Sequence, residues 1–202
     1  QAVQLLNLAY FGRPGDPASL PAWGAAGITE SKIAEIFVAT SEFATSTAGV
    51  TSSGGVRSYT TSTYINTLYN RLVGRDAASS EVTAWSNAID ANLVTYENLG
   101  HVLVTAILNL DESVEMRKVM MAKLDTANLY SDYLEANPTD LSAYSTQAGI
   151  DAGRAFMDTV TTSTAKTYSE VAATADLLDA PTKYTIPSAA ATAVEGKNVT
   201  FT

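Results

Sequence analysis

A pattern of glycine, arginine and tryptophan occurs twice in this chain with the same internal spacing. It runs from Gly12 to Trp23 and again from Gly74 to Trp85. In both copies Arg follows the Gly directly, and the Trp comes ten positions after that Arg. The second copy begins 62 positions after the first, and each holds one of the two Trp in the chain. A repeat of this kind indicates a duplicated structural unit, which restricts the fold more than any single residue does.

The residues around each copy predict a helix–turn–helix unit. The same offset of 62 positions pairs Val3 with Ile65 and Leu6 with Leu68, and these residues recur at helical spacing. A helix is therefore predicted before each Gly-Arg, where the Gly ends it, and a second helix carries each Trp.

The first unit also has start signals for its later helices. Asp16 is suited to cap a short helix with Pro17 at its first position, and Leu20 and Trp23 then share a face. Thr29 is suited to cap a third helix, whose apolar stripe continues to Phe43.

We predict an all-α, multi-helix domain of seven to nine helices over residues 1–180. Repeat 1 covers about 1–43, repeat 2 about 59–110, and long C-terminal helices about 111–180, with a possible break at 161–164 where Thr is frequent. Residues 181–202 are predicted to be a linker and one β-strand that begins a following β domain. Residues 44–58, poor in large apolar side chains, are predicted to be a flexible surface loop or part of a site.

Composition excludes several classes of function. The net charge of −9 with few Lys and Arg argues against nucleic acid as a partner. No apolar run reaches the ~18–20 residues of a spanning helix. The chain has no Cys and one His, His101, which lies on an apolar helix and fits a core or boundary role. These residues leave no Cys–His pair, no His-based zinc site and no recognisable Ser-His-Asp motif.

The duplicated stretch resembles a known family. Gly-Arg-x-x-Asp-x-x-x-Leu-x-x-Trp is similar to a helical repeat of unassigned biochemistry in secreted bacterial proteins, often beside RTX calcium-binding β-roll repeats. The first copy matches at each named position, with Ser19 where the family usually has Gly. The second copy keeps Gly, Arg and Trp but has Ala78 at the Asp position and Glu81 at the Gly position.

The order of parts also resembles the N-terminal helical domain of RTX-type surface-layer proteins of Gram-negative bacteria. The resemblance implies a secreted protein at the extracellular cell surface, exported by a type I system. It implies that the helical domain holds the surface layer to lipopolysaccharide O-antigen, and that calcium acts mainly in the downstream β domain.

Each candidate residue has a structural and a functional interpretation. Trp23 and Trp85 either pin their helices to the preceding helix or offer flat faces to a sugar. Arg13 and Arg75 either cap the C-terminus of the preceding helix or pair with a carboxylate, such as Asp16 or Asp76; the functional alternative is that they donate hydrogen bonds to a glycan. Amphipathic Tyr rings suit both a half-buried position and a sugar-binding groove. The full candidate set for glycan binding is Arg13, Asp16, Trp23, Tyr59, Tyr64, Tyr69, Arg75 and Trp85.

The expected function is a non-enzymatic anchor that binds lipopolysaccharide O-antigen near the Gly-Arg turns and the 44–58 loop. The acidic charge favours a neutral glycan or one bridged by divalent cations. A protein–protein assembly module that makes lattice contacts with neighbouring copies is the alternative, and a cell-wall glycan hydrolase is a remote one.

Overall fold

The computed structural model of the chain describes residues 1–176. In this part there are eleven helices and one two-stranded sheet. The prediction of an all-α, multi-helix domain is confirmed, although the helices are shorter and more numerous than the seven to nine predicted. The first-repeat helices are α1 (Ala2–Phe11), α2 (Ser19–Ala25), α3 (Glu30–Ala39) and α4 (Ser41–Ser46). The hairpin is β1 (Val50–Ser53) and β2 (Val56–Tyr59). The remaining helices are α5 (Thr61–Val73), α6 (Ser79–Asp90), α7 (Leu99–Leu108), α8 (Glu115–Ala136), α9 (Pro138–Tyr144), α10 (Gln147–Asp158) and α11 (Tyr168–Asp176). The predicted linker and strand at 181–202 lie outside the described residues.

The helix ends at the two Gly-Arg turns are built in the same way. Gly12 ends α1 with φ 69° and Gly74 ends α5 with φ 70°, both in the left-handed region. The Gly12 N–H donates to Leu8 O and the Gly74 N–H to Asn70 O, four residues back in each case. Glycine adopts this conformation without the steric cost that a Cβ adds, so the repeated Gly has a backbone reason.

A second pair of equivalent hydrogen bonds fixes the chain after each turn. The side-chain oxygen of Gln4 accepts from the Gly15 N–H at 2.9 Å, and that of Asn66 accepts from the Ala77 N–H at 3.1 Å. Both pairs span eleven residues. The duplication seen in the sequence is therefore also a duplication of local geometry.

The third helix of the first unit ends earlier than the sequence predicts. The Thr29 hydroxyl accepts from Lys32 N–H, which confirms the predicted cap of α3. Thr40 then takes an extended backbone with ψ 153°, ends α3 and caps α4 through Phe43 N–H. The predicted continuous helix is thus two helices, and both Ile33 and Phe43 are buried in the core.

The predicted loop at 44–58 contains regular structure instead. It holds the end of α4 and an antiparallel hairpin in which Val50 pairs with Tyr59 and Ser53 with Val56. Gly54 and Gly55 form the two-residue connection with φ 58° and 81°, the conformation of a tight hairpin turn.

The C-terminal helices close the core. α8 packs against α1, α5, α9 and α11, and its predicted apolar stripe is buried at Met120, Leu124, Ala127, Tyr130 and Leu134. Of the two arrangements that the sequence allows here, one long helix or a break near 161–164, the structure has the break, since α10 ends at Asp158 and α11 begins at Tyr168.

Arg71 on α5 joins the two repeats inside the core. Its side chain is buried and donates to Tyr10 O at 2.8 Å and to Ser46 O at 2.6 Å, near the ends of α1 and α4. These carbonyls have no partner within their own helices, so one guanidinium satisfies the ends of both. Burial lowers the pKa of Arg71 to about 10.

Candidate functional site

The structure separates the sequence candidates into three groups. Arg13, Asp16 and Trp23 lie at or after the first Gly-Arg turn. Tyr69, Arg75 and Trp85 form a second group at the second turn, and Tyr59 and Tyr64 belong to an aromatic cluster beside the hairpin.

Arg13 is part of the interior. Its Nε and Nη2 donate to the two carboxylate oxygens of Glu42 at 2.6 and 2.8 Å, and its side chain is 12% exposed. The partner is therefore Glu42 on α4, and the predicted pairing with Asp16 is wrong. Burial acts to lower the pKa of Arg13, but the hydrogen bonds to Glu42, the Glu42 charge and the contact with Tyr144 together outweigh it and hold that pKa above its usual range.

Three C-terminal helices cover this first turn. Ser131 of α8 donates to Gly15 O at 2.8 Å, and Tyr144 of α9 donates to Pro14 O at 2.6 Å. Arg154 of α10 donates to Phe11 O at 2.9 Å. Each helix thus satisfies one backbone carbonyl of the turn, which removes the turn from solvent.

Asp16 stabilises the backbone turn that follows it. Its carboxylate accepts from the Ala18 N–H at 2.7 Å, and its carbonyl accepts from the Leu20 N–H. It therefore starts the first turn that leads into α2, although the helix proper begins at Ser19, two residues later than the predicted Pro17.

Arg75 has a different environment from Arg13. Its side chain is 45% exposed and pairs with Glu81 on the next helix at 2.8 and 3.0 Å. Its guanidinium also lies over the Tyr69 ring, 5.4 Å from the centroid. The hydrogen bond from Arg75 is the main cause that lowers the pKa of Glu81.

The two Trp residues are both half-buried, on helices that bury none of their residues. Trp85 donates its indole N–H to the Tyr69 hydroxyl at 2.9 Å, which fastens α6 to α5. Trp23 packs edge-on against Phe37 with the ring centroids 5.6 Å apart. Among the described residues the indole N–H of Trp23 has no hydrogen-bond partner.

The hairpin cluster is largely internal. Tyr64 is fully buried and donates to Tyr96 O at 3.0 Å, so it cannot reach an external ligand in this structure. Tyr59 is half-buried and stacks on Tyr96 with a centroid distance of 4.3 Å. Tyr69 is also buried; its hydroxyl accepts from the Trp85 indole N–H, and the Arg75 guanidinium lies over its ring.

Two grooves border the two repeats. The first, of about 320 Å³, lies between α1, α2, α3 and α8, and Trp23 forms part of its wall with Glu30 and Asn128. The second, of about 390 Å³, lies beside Gly74 and Arg75, and its other side is formed by Val114, Met116, Val119 and Thr161. Both volumes fall at the lower end of the range for small-ligand sites.

The comparisons with known proteins reach part of this region. Residues 34–116 are similar to a family described as Domain of unknown function (DUF4214). This segment includes the second Gly-Arg turn and Trp85, and the first turn lies before it. No curated protein and no solved structure matches the chain.

Two properties of the described residues bear on the expected partners. None of the helices within 1–176 is both long and apolar enough to cross a membrane. In the same part of the chain, no three His, Asp or Glu side chains are grouped so that they could hold a metal ion.

Sequence reasoning missed Glu42, Glu30 and Asn128. Glu42 and Asn128 lie on other helices, far along the chain from the Arg and Trp that they adjoin, so no local spacing reveals them. Glu30 lies in the first turn of α3, where a carboxylate is favourable, and its place in the groove depends on how α3 packs against α1.

Proposed function

We propose that this helical domain is a non-enzymatic glycan-binding anchor that attaches a secreted, surface-layer-type protein to lipopolysaccharide O-antigen. Calcium dependence is expected mainly from a following β domain. The fold supplies a rigid core, and the glycan is held at its surface without a chemical step.

The observation that carries this proposal is the pairing of each repeat with a groove. Trp23 lines the first groove, and Gly74 and Arg75 line the second. A sugar ring needs a flat apolar surface together with hydrogen-bonding groups at its edge, and Trp, Arg, Glu and Asn supply these.

The charge of the domain favours a neutral glycan. The chain carries a net charge of −9, and the exposed Arg75 is already neutralised by Glu81. A bare phosphate-rich ligand would therefore meet unfavourable electrostatics, whereas a neutral O-antigen would not.

Two exposed apolar side chains favour the second candidate, an assembly module. Val56 at the hairpin tip is 70% exposed and Leu93 between α6 and α7 is 79% exposed. Apolar side chains in contacts between neighbouring copies would be buried by lattice formation.

Co-sedimentation of the chain with lipopolysaccharide tests the proposal. We expect binding to lipopolysaccharide that carries O-antigen and none to lipopolysaccharide that lacks it, each measured with and without Ca²⁺. Failure to bind under every condition, with the domain folded, would sink the anchor function. Concentration-dependent self-association without glycan, lost in a Val56→Ser/Leu93→Ser variant, would then establish assembly.

A further inference from the structure

We infer that the groove beside Trp23 is the sugar-binding subsite, and that it takes one neutral hexose unit of the glycan. This inference rests on the proposed function and assigns its ligand contact to repeat 1. The first groove is preferred to the second because its indole N–H and its amide have no hydrogen-bond partner among the described residues, and its carboxylate is exposed.

The state of the indole N–H distinguishes the two Trp residues. The indole N–H of Trp85 donates to the Tyr69 hydroxyl at 2.9 Å, so the edge of this ring is occupied by a structural contact. Trp23 contacts Phe37 through an edge-on packing, and within residues 1–176 its N–H donates to no protein acceptor. A half-buried ring with a free donor beside a groove is available to a ligand.

Two further polar groups line the same groove. Asn128, half-buried on α8, uses its amide in no hydrogen bond among the described residues. Glu30 on α3 is exposed and has one close side-chain neighbour, His101 at 3.5 Å. Together with Trp23 they provide donors and acceptors at three points, the groups that vicinal sugar hydroxyls need.

Apolar side chains form much of the remaining wall. Leu20, Ile28 and Ile33 line the groove between these polar groups, and they suit the C–H face of a pyranose ring. Gln4, also at the groove, is buried, and its amide is bound to Gly15 and Ser131, so it shapes the wall and leaves recognition to its neighbours.

The charge at the groove selects against acidic sugars. Glu30 places a carboxylate at the edge, and none of the Lys or Arg side chains within residues 1–176 lines this groove. An anionic sugar would therefore meet a like charge, whereas a neutral hexose accepts and donates hydrogen bonds freely.

Tryptophan fluorescence gives a direct test, because the chain has two Trp. In a Trp85→Phe variant of the full chain, Trp23 is the single reporter. O-antigen polysaccharide freed from lipid A is titrated, followed by glucose, mannose, galactose and N-acetylglucosamine. We expect a saturable change in Trp23 emission with the polysaccharide and with at least one of these neutral sugars. A Trp23→Phe variant, which reports from Trp85, should show no such change.

Substitutions at the groove separate ligand contact from stability. Asn128→Ala should weaken polysaccharide binding about two- to tenfold, as expected for one lost hydrogen bond, and should leave the melting temperature nearly unchanged. Asn87→Ala, on the exposed side of α6, is the matched control and should bind as the parent chain does. Trp23→Ala should weaken binding about tenfold or more.

The outcomes distinguish the subsite from the anchor function. If the chain sediments with O-antigen lipopolysaccharide while Trp23 emission and the Asn128→Ala affinity stay unchanged, the subsite is overturned and the anchor function stands. If the folded chain binds neither lipopolysaccharide nor free polysaccharide, both are overturned. Equal weakening by Asn128→Ala and Asn87→Ala would also overturn the subsite, since the loss would not depend on the groove.

Discussion

The first and second Gly-Arg turns share a backbone and differ in what surrounds them. In both, a left-handed Gly ends the helix and a side-chain amide oxygen holds the chain three residues later. The Arg of each turn also donates to the carbonyl of the next residue, Pro14 or Asp76. The sequence repeat therefore encodes the shape of the turn.

The surroundings decide the role of each Arg. Arg13 pairs with a carboxylate on another helix and is enclosed by α8, α9 and α10, whereas Arg75 pairs with a residue six positions away and stays exposed. A duplicated motif can thus keep its geometry while one copy becomes part of the core and the other stays at the surface.

Removal of the two Arg side chains should give the largest contrast. Arg13→Ala leaves Glu42 with only the 3.4 Å contact to Arg154 in a nearly closed site, and should lower the free energy of unfolding by about 2–4 kcal/mol. Arg75→Ala removes an exposed pair and should cost about 0–1 kcal/mol. Urea unfolding of both variants measures the difference, and equal losses would contradict the assignment of the two turns.

Alanine at the two Gly positions should sharpen the same contrast. Both substitutions force a Cβ into φ near 70°, at a cost of about 1–2 kcal/mol. At Gly12 the Cβ would also lie 2.9 Å from Nε of Arg71, which is held inside the core. At Gly74 it would lie 2.9 Å from Cα of Thr161, but Thr161 belongs to an exposed connection that can shift. We expect Gly12→Ala to lower the free energy of unfolding by about 2–3 kcal/mol and Gly74→Ala by less, as measured by thermal unfolding.

A buried amine lies in the helices that cover the first turn. Lys123 of α8 is fully buried, donates to Met157 O of α10 at 3.0 Å, and burial lowers its pKa from 10.5 to about 8. The unfolded chain holds this proton up to higher pH than the folded chain. The free energy of unfolding should therefore rise between pH 8 and pH 10, by about 2 kcal/mol.

Lys123→Met should abolish that rise and should stabilise the protein by about 1–2 kcal/mol at pH 7. The comparison of parent and variant at each pH cancels the titration of the Tyr residues. Parallel pH profiles for the two proteins would show that the amine is charged in both states or reaches solvent.

The last substitution leaves Trp85 of repeat 2 without an indole hydrogen bond, as Trp23 of repeat 1 is within residues 1–176. Tyr69→Phe removes the acceptor of the Trp85 indole N–H and should cost about 1 kcal/mol. In a Trp23→Phe background the emission of Trp85 should change, because its N–H loses a fixed partner. Unchanged emission and stability would mean that packing alone holds α6.

Local features of the fold follow from the sequence, because each depends on neighbouring residues. The helix ends at Gly12 and Gly74 and the Thr29 cap are predicted correctly, and the break before Tyr168 is one of the two arrangements that the sequence allows. The hairpin at 50–59 is missed because its strands are rich in Ser and Thr, although Gly54-Gly55 between Val50 and Tyr59 is a hairpin signal.

The site is harder to predict than the fold. The pairing of Arg13 with Glu42, and the position of Trp23 and Asn128 on one groove, depend on how helices distant in sequence pack together. The 62-residue repeat even suggests that Arg13 and Arg75 are equivalent, and the hydrogen bonds from α8, α9 and α10 to the first turn are the reason that they are not.

The contact between Arg71 and the first repeat limits the number of repeats that this fold can contain. Arg71 of the second repeat holds the carbonyls that end α1 and α4 of the first, while the equivalent position of the first repeat is the small, buried Ala9. Each repeat therefore has a partner surface that the other copy does not offer. Open arrays of stacked units grow because each unit contacts the next in the same way. The two repeats of this domain therefore form a closed pair. A third copy inserted between them would separate the Arg71 guanidinium from the carbonyls of α1 and α4 that it binds.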